Sequence, residues 1–177
     1  MFRVLILVTL ALSIASSVKA QDTPKVEVFG GYSYAGSGSH GFDMSIAGNV
    51  NQWFGLVGDI GGQYSRLSDQ GFTERIRSHS FLFGPQFTLR KHKRITPFVH
   101  TLFGFSKLRT ETNEFGPLLR FSDTSFALAL GGGLDVRITD HLAIRAIQVD
   151  YLHTRFFNES QNKGRVTAGL VVRFGKR

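Results

Sequence analysis

The stretch "SFALALGGGLDVRI" at residues 125–138 places three consecutive glycines inside an apolar run, and two incompatible structures compete for it. A phosphate-cradling loop needs Lys and Ser/Thr after its glycines, at the mouth of a helix, so that backbone N–H groups surround an anion. Gly133 is followed by Leu134 and Asp135, which cannot do this. Alternate positions tell a different story. Phe126, Leu128, Leu130, Gly132, Leu134, Val136 and Ile138 fall on one face, and Ser125, Ala127, Ala129, Gly131, Gly133, Asp135 and Arg137 on the other. A period of two is the signature of a strand. Its second face, small and charged, is what the rest of the sequence must explain.

The same alternation recurs along the chain. "VEVFGGYSYAG" sets Val26, Val28, Gly30, Tyr32 and Tyr34 against Glu27, Phe29, Gly31, Ser33 and Ala35. "GFDMSIAGNV" sets Phe42, Met44 and Ile46 against Asp43, Ser45, Ala47 and Asn49, and after a tight turn at Asn51-Gln52 Phe54, Leu56, Ile60 and Tyr64 oppose Val57, Asp59 and Gln63. In "SHSFLFGPQFTLR", Phe81, Phe83, Phe87 and Leu89 oppose Ser80, Gln86 and Thr88. Pro85 lacks the N–H that a ladder requires, which predicts an irregularity there. "TPFVHTLFGFSK" gives an ambiguous phase: Val99, Phe103 and Phe105 take the apolar face while Phe98 and Leu102 sit opposite. After a turn at Thr139-Asp140, Ile147, Val149 and Tyr151 oppose Gln148 and Asp150, and Arg145 falls out of phase, which predicts a bulge near Ala146. "GRVTAGLVVRF" closes the series as an eighth strand, with Val166, Leu170, Val172 and Phe174 against Arg165, Thr167 and Arg173.

The connections near residues 37–40, 66–74, 108–122 and 155–163 are polar and mostly long, whereas those near 51, 91–94 and 140 are tight. Long loops at one end and short turns at the other describe an up-and-down meander. A soluble lipocalin-like carrier shows the same period with apolar residues inside and polar ones outside. Here the polar face is crowded with Gly, Ala and Ser and carries isolated charges of both signs, which suits a narrow filled lumen. The apolar face carries Tyr32, Tyr34, Tyr64 and Tyr151 toward the long-loop end and Trp53 and Phe174 toward the short-turn end, the arrangement of two interfacial aromatic girdles. The expected fold is all-β: a closed eight-stranded antiparallel up-and-down transmembrane barrel.

Residues 1–20, "MFRVLILVTLALSIASSVKA", combine a basic start at Arg3, an apolar run from Val4 to Leu12 and small residues before Gln21. They read as a cleaved signal peptide, the run being too short for a spanning helix of about 20 apolar residues. Residues 21–177 then form one barrel domain, and removal of Arg3 and Lys19 lowers the formal charge from +8 to +6. The absence of cysteine excludes disulfides and a cysteine-linked lipid. Export argues against nucleic acid as a partner. The basic turn "RKHKR" at residues 90–94 lacks interleaved aromatics and reads better as a turn beside anionic headgroups.

The signal peptide, "VEVFGGYSY", "GPQF", "PFVHTLFG", "GGGLDVRI" and the closing "AGLVVRF" together resemble the small bacterial outer-membrane β-barrel proteins, the OmpA-type transmembrane domain and the OmpX-like and opacity-protein-like family, over residues 25–174. That resemblance implies a bacterial outer-membrane location, with membrane lipid, lipopolysaccharide and the assembly machinery as partners. The family usually ends on its aromatic residue; here Gly175-Lys176-Arg177 follow Phe174. With only Gly175-Lys176-Arg177 after the eighth strand, the peptidoglycan-binding domain that some relatives carry is not expected.

An eight-stranded barrel is just wide enough for side chains to fill, and an unpaired charge inside it is costly. The expected lumen ion-pair network, structural in role, comprises Glu27, Asp43, Asp59, Asp135, Arg137, Asp150, Arg165 and Arg173, with Glu27 on the first strand meeting Arg173 on the last. No cofactor or metal is expected, since His40, His79, His92, His100 and His141 are scattered without ligand spacing. Outer-membrane lipid A deacylases use a His-x-Ser constellation, but "HTRFFNES" puts Thr154-Arg155 after His153, with Glu159 and Ser160 beyond, so the pattern is broken. Asn158-Glu159-Ser160 matches a glycosylation sequon without meaning in a bacterium. The function expected is structural or surface interaction through the loops around residues 110–120 and 155–163, without catalysis. The alternatives are a small porin-like channel, a rim lipid A-modifying enzyme and the soluble carrier.

Overall fold

The computed structural model describes residues 23–176 apart from 37, 70–71, 93, 114–118 and 157–158. The signal-peptide expectation for residues 1–20, Lys93 of the basic turn, Asn158 of the sequon and the side chains of Arg120 and Glu159 lie outside the described residues. Eight strands follow in order: β1 (Pro24–Ala35), β2 (Ser39–Asn49), β3 (Phe54–Asp69), β4 (Phe72–Thr88), β5 (Ile95–Asn113), β6 (Leu119–Arg137), β7 (Leu142–Phe156) and β8 (Glu159–Lys176). Each pairs antiparallel with its neighbours, and β1 pairs with β8, closing the barrel in the order β1 to β8. Closure leaves no free strand edge, which is the condition for a sheet to stand in hydrocarbon.

The alternating pattern sorts the side chains as the sequence implies. Glu27, Phe29, Ser33 and Ala35 of β1 are buried in the lumen, while Tyr32 and Tyr34 are exposed on the outside. A continuous apolar outer wall, including Leu56, Phe83, Val99, Phe126 and Leu130, faces away from the barrel. This is the reverse of a soluble carrier. The lumen itself is filled by an apolar layer of Ala47, Val57, Leu82, Leu102, Ala127 and Ala129, a second group of Phe29, Ala143 and Val171, and polar residues between and around them. Phe98 and Leu102 belong to that filling, which resolves the phase of β5: Val99, Phe103 and Phe105 point outward.

Both expected irregularities are present. The pairing of β6 with β7 shifts by one residue between Leu134/Ile147 and Asp135/Arg145, so Ala146 is the extra residue of a bulge and Arg145 turns into the lumen. The pairing of β7 with β8 shifts at the same place. At Pro85 the ladder to β3 is unbroken, but on the β5 side pairing lapses over Gly84 and Pro85 and resumes at Gln86/His100 in the same register. The three consecutive glycines lie in β6, where a Cβ on Gly131 would collide with the Asp150 carboxylate and one on Gly133 would fall 2.7 Å from the Phe98 ring.

The tight turns at one end are fixed by side chains. Asn51 Oδ1 accepts from the N–H groups of Trp53 and Phe54 at 2.9 and 2.8 Å, and Thr139 Oγ1 accepts from those of His141 and Leu142 at 3.3 and 3.0 Å. The expected long loops at the other end require correction. The polar segments at 66–74, 108–122 and 155–163 are mostly strand: β3 and β4 stay paired out to Asp69/Phe72, β5 and β6 out to Thr112/Leu119, and β7 and β8 out to Phe156/Glu159. Polarity signals water rather than a loop, and residues such as Thr110 and Thr112 sustain a solvated ladder as well as an apolar one would. β5 and β6 reach 19 residues each against 12 and 11 for β1 and β2, so the outer rim is tall on one side and low on the other.

Candidate functional site

Small inward side chains create the room in which the charged ones meet. At Gly61, a Cβ would sit 2.8 Å from Arg165 Nη1 and 2.7 Å from Ser80 Oγ. Arg165 uses that space to contact three carboxylates from different strands: Nη1 donates to Asp43 at 2.7 Å, Nη2 lies 3.4 Å from Asp59, and Nε and Nη2 donate to Asp150 at 3.0 and 2.8 Å. Arg165, Asp43 and Asp150 are almost completely buried. The other oxygen of Asp150 receives His100 Nε2–H at 2.7 Å, and Gln148 Nε2 donates to Asp150 Oδ2 at 2.8 Å. Gln148 Oε1 in turn accepts from Arg145 Nη1 at 2.7 Å, linking the cluster to a second pair.

That pair is Arg145 and Asp135, joined through two guanidinium nitrogens at 2.9 and 3.3 Å. The Arg145 guanidinium is also sandwiched between the rings of Phe29 and Phe98, 4.3 Å from each centroid. Two charge-assisted bonds and two ring faces hold a cation that the bulge at Ala146 brings indoors. Nearer the tight turns, Glu27 is shared: Oε1 accepts from Arg173 Nε at 2.9 Å, and Oε2 from Arg90 Nη2 at 2.8 Å and Asn49 Nδ2 at 3.0 Å. Arg173 is placed there by the closing register, in which Glu27 stands opposite it. Arg90 Nε and Nη1, both Nη atoms of Arg173, Arg137 Nε and Gln63 Oε1 are buried without a partner among the described residues; such groups call for water in a polar lumen.

Of the eight residues expected in the network, Glu27, Asp43, Asp59, Asp135, Asp150, Arg165 and Arg173 make ion pairs. Arg137 joins none among the described residues: it stands opposite Ala143, beyond Asp135, whose carboxylate is already occupied by Arg145. Five participants stand outside the expected set, Asn49 among them through its bond to Glu27. Arg90 reads as part of a basic turn but is buried against Glu27, a correction to that reading. His100, one of the scattered histidines, is buried on Asp150. Arg145 was legible as out of phase, and its inward direction follows from the bulge. Gln148 and Asn49 lie on the polar face but, being uncharged, carry no sequence signal for an ion-pair network.

Above Arg165 the lumen opens into a cup at the tall-rim end, lined by Ser39, Gln63, Ser78, Ser106, Thr154 and Lys163 and floored by Arg165. Below that floor lies the packed layer of Leu82, Leu102, Ala127 and Ala129. On the outer wall, His153 Nδ1 is engaged with Asn162 Oδ1 at 2.7 Å, and Ser160 stands opposite Arg155, one inward–outward repeat away. Among the described residues no group of His, Asp or Glu is arranged to hold a metal.

This architecture has close counterparts. The attachment invasion locus protein Ail of Yersinia pestis superposes with a TM-score of 0.61 at 16% identity, covering 88% of this chain and all of that one; Ail has also been solved in complex with the heparin analogue sucrose octasulfate. Neisserial surface protein A matches with a TM-score of 0.53 at 15% identity, over 84% of this chain and 96% of that one. The N-terminal β-barrel domain of Pseudomonas aeruginosa OprF matches with a TM-score of 0.52 at 12% identity, over 87% of this chain and all of that domain. No curated protein matches by sequence. At these identities the structures speak for the fold alone, but the sequence model of the outer membrane protein β-barrel domain matches residues 5–174. With its closed eight-stranded barrel, apolar outer wall and charged lumen, the chain belongs to the outer membrane protein β-barrel domain family, in the bacterial outer membrane.

Proposed function

We propose that this barrel is a structural and surface-interaction protein without catalytic turnover, made of residues 21–177 after loss of the signal peptide 1–20 and inserted by the outer-membrane assembly machinery. The observation that carries the reading is the position of Arg165, held by Asp43, Asp59 and Asp150 across the lumen beneath the outer cup. A pore would have to break those contacts and pass the apolar layer under them. The paired lumen charges act as internal struts, Arg137 standing outside them, and the tall rim built by β3–β6 offers the recognition surface. Ail, whose complex with a heparin analogue is known, lends support to a polyanionic ligand at such a surface.

Planar-bilayer recording tests the reading against the porin-like alternative. Purified barrel that shifts on gels between boiled and unboiled samples is expected to give no discrete conductance steps; sustained steps would sink it. The rim-enzyme alternative predicts that His153→Ala abolishes modification of lipid A, whereas the present reading expects the lipid to be unmodified by either form.

A further inference from the structure

The outer cup carries a chemistry that lumen packing does not use. One part of its lining is apolar, from Ala35, Ile76 and Leu152, and the rest is polar, from Gln63, Lys163 and serine and threonine hydroxyls above Arg165. None of the described residues lining it is acidic. Lys163 stands on β8 directly opposite Leu152, two residues from Arg165 on the same inward face, and no ion pair among the described residues holds its ammonium. Arg165 lines the cup whereas its partners Asp43, Asp59 and Asp150 do not, so an entering group meets cations before carboxylates. On β3, Gln63 donates through Nε2 to Ser33 Oγ at 2.6 Å, which leaves its Oε1 buried as an acceptor without a donor among the described residues. An acceptor held in that state favours a ligand that brings an N–H or O–H to it.

Size and lining together select the occupant. The cup encloses about 60 Å³, against about 30 Å³ for each water in the liquid. That admits an end group rather than a whole solute, with the remainder of the molecule outside the rim. A sulfate group would satisfy Lys163 but brings no donor to Gln63 and nothing to the apolar wall. An acidic sugar brings an anion and a donor, yet its hydroxylated ring gains little from Ile76 and Leu152. The last residue of a polypeptide carries all three features at once: a carboxylate, an amide N–H and a side chain. We propose that the cup captures the free C-terminal end of a polypeptide whose last residue is small and apolar. Its carboxylate pairs with Lys163, its last amide N–H donates to Gln63 Oε1, and its side chain lies against Ile76 and Leu152. The proposal rests on the reading that the tall rim is the surface-facing recognition end.

Isothermal titration of the folded full chain in detergent micelles with the peptide acetyl-Gly-Gly-Ala tests it. The free acid is expected to bind, and the same peptide with an amidated C-terminus about tenfold more weakly or worse. Lys163→Gln should weaken binding of the free acid about tenfold or more, while Lys163→Arg keeps most of it. Replacing the last amide by an ester, as in acetyl-Gly-Gly-lactate, removes the N–H and should cost the parent chain about tenfold in affinity. Gln63→Leu should erase that difference between peptide and ester. Equal binding of acid and amide, or unchanged binding by Lys163→Gln, overturns the proposal. So does binding of glucuronate or inorganic sulfate through Lys163 with no binding of the peptide, which would assign the cup to an acidic sugar or a simple anion. The boiled-versus-unboiled gel shift verifies folding of each variant. Channel activity in the parent chain would defeat the surface-interaction reading while leaving the peptide result intact, whereas a non-conducting barrel that ignores the peptide would defeat this proposal alone.

Discussion

Inside the barrel Arg165 lies among Asp43, Asp59 and Asp150; on the outside of the same sheet Arg77 stands opposite Arg109 and Arg66 opposite Arg75. The inner wall has to neutralise its own charges, because side chains fill the lumen and leave no bulk solvent or mobile ion to help. The outer wall is relieved of that constraint by what surrounds it. Outward of the apolar band exposed cations are screened by their surroundings, so like charges can be neighbours at little cost, and Glu111, opposite Arg75, lies 3.9 Å from Arg77. The contrast teaches that one alternating sequence encodes two electrostatic regimes, one closed within the chain and one completed by its surroundings.

The strongest way to break the inner regime is Arg165→Met, which leaves three buried carboxylates without their shared cation. It is expected to cost about 3–5 kcal/mol, read as a lowered denaturant midpoint in phosphatidylcholine vesicles. Adding Asp43→Asn and Asp59→Asn to it should recover part of that loss; no recovery would mean that the arginine acts through packing rather than charge. Glu27→Gln removes the negative charge and turns one of the two oxygens that accept from Arg90 and Arg173 into a donor while keeping the shape, so a smaller loss of about 2–3 kcal/mol is expected by the same measurement. A loss below what the error resolves would count against Glu27 as the strut of the turn-end layer. Gly131→Ala places a methyl group against the Asp150 carboxylate and 2.6 Å from the Val149 carbonyl oxygen. Overpacking of this kind costs about 1–3 kcal/mol, whereas Gly30→Ala, where a Cβ meets open space, should leave the midpoint nearly unmoved.

How far the sequence discloses this molecule depends on whether parity alone carries the information. Face assignment is a parity question, so the two walls, the placement of Gly131 and Gly133 and the bulge at Ala146 were all legible, the last because Arg145 broke the alternation. Extent is not a parity question. The segments at 66–74 and 108–122 look like loops because they are polar, yet out to Asp69/Phe72 and Thr112/Leu119 their residues pair across neighbouring strands as those in the apolar band do. Height in the lumen was equally hidden. Arg137 shares a face with Asp135 but stands past it, and Arg145 takes that carboxylate. Arg90 lay beyond the last apolar residue of β4 and looked like part of a turn, although Glu27, 63 residues earlier, captures it. His100 meets Asp150 across 50 residues, a pairing no local pattern announces.

The measurement that tests the contrast most directly is the unfolding midpoint of Arg165→Met and of Arg77→Gln/Arg109→Gln, side by side, in vesicles of neutral phosphatidylcholine. The lumen variant should unfold at clearly lower denaturant than the parent chain. The outer-wall variant loses like-charge repulsion together with the long, partly exposed Arg77–Glu111 contact, so it should unfold within about 1 kcal/mol of the parent chain. A marked loss of stability in the outer-wall variant, or none in the lumen variant, would contradict the account.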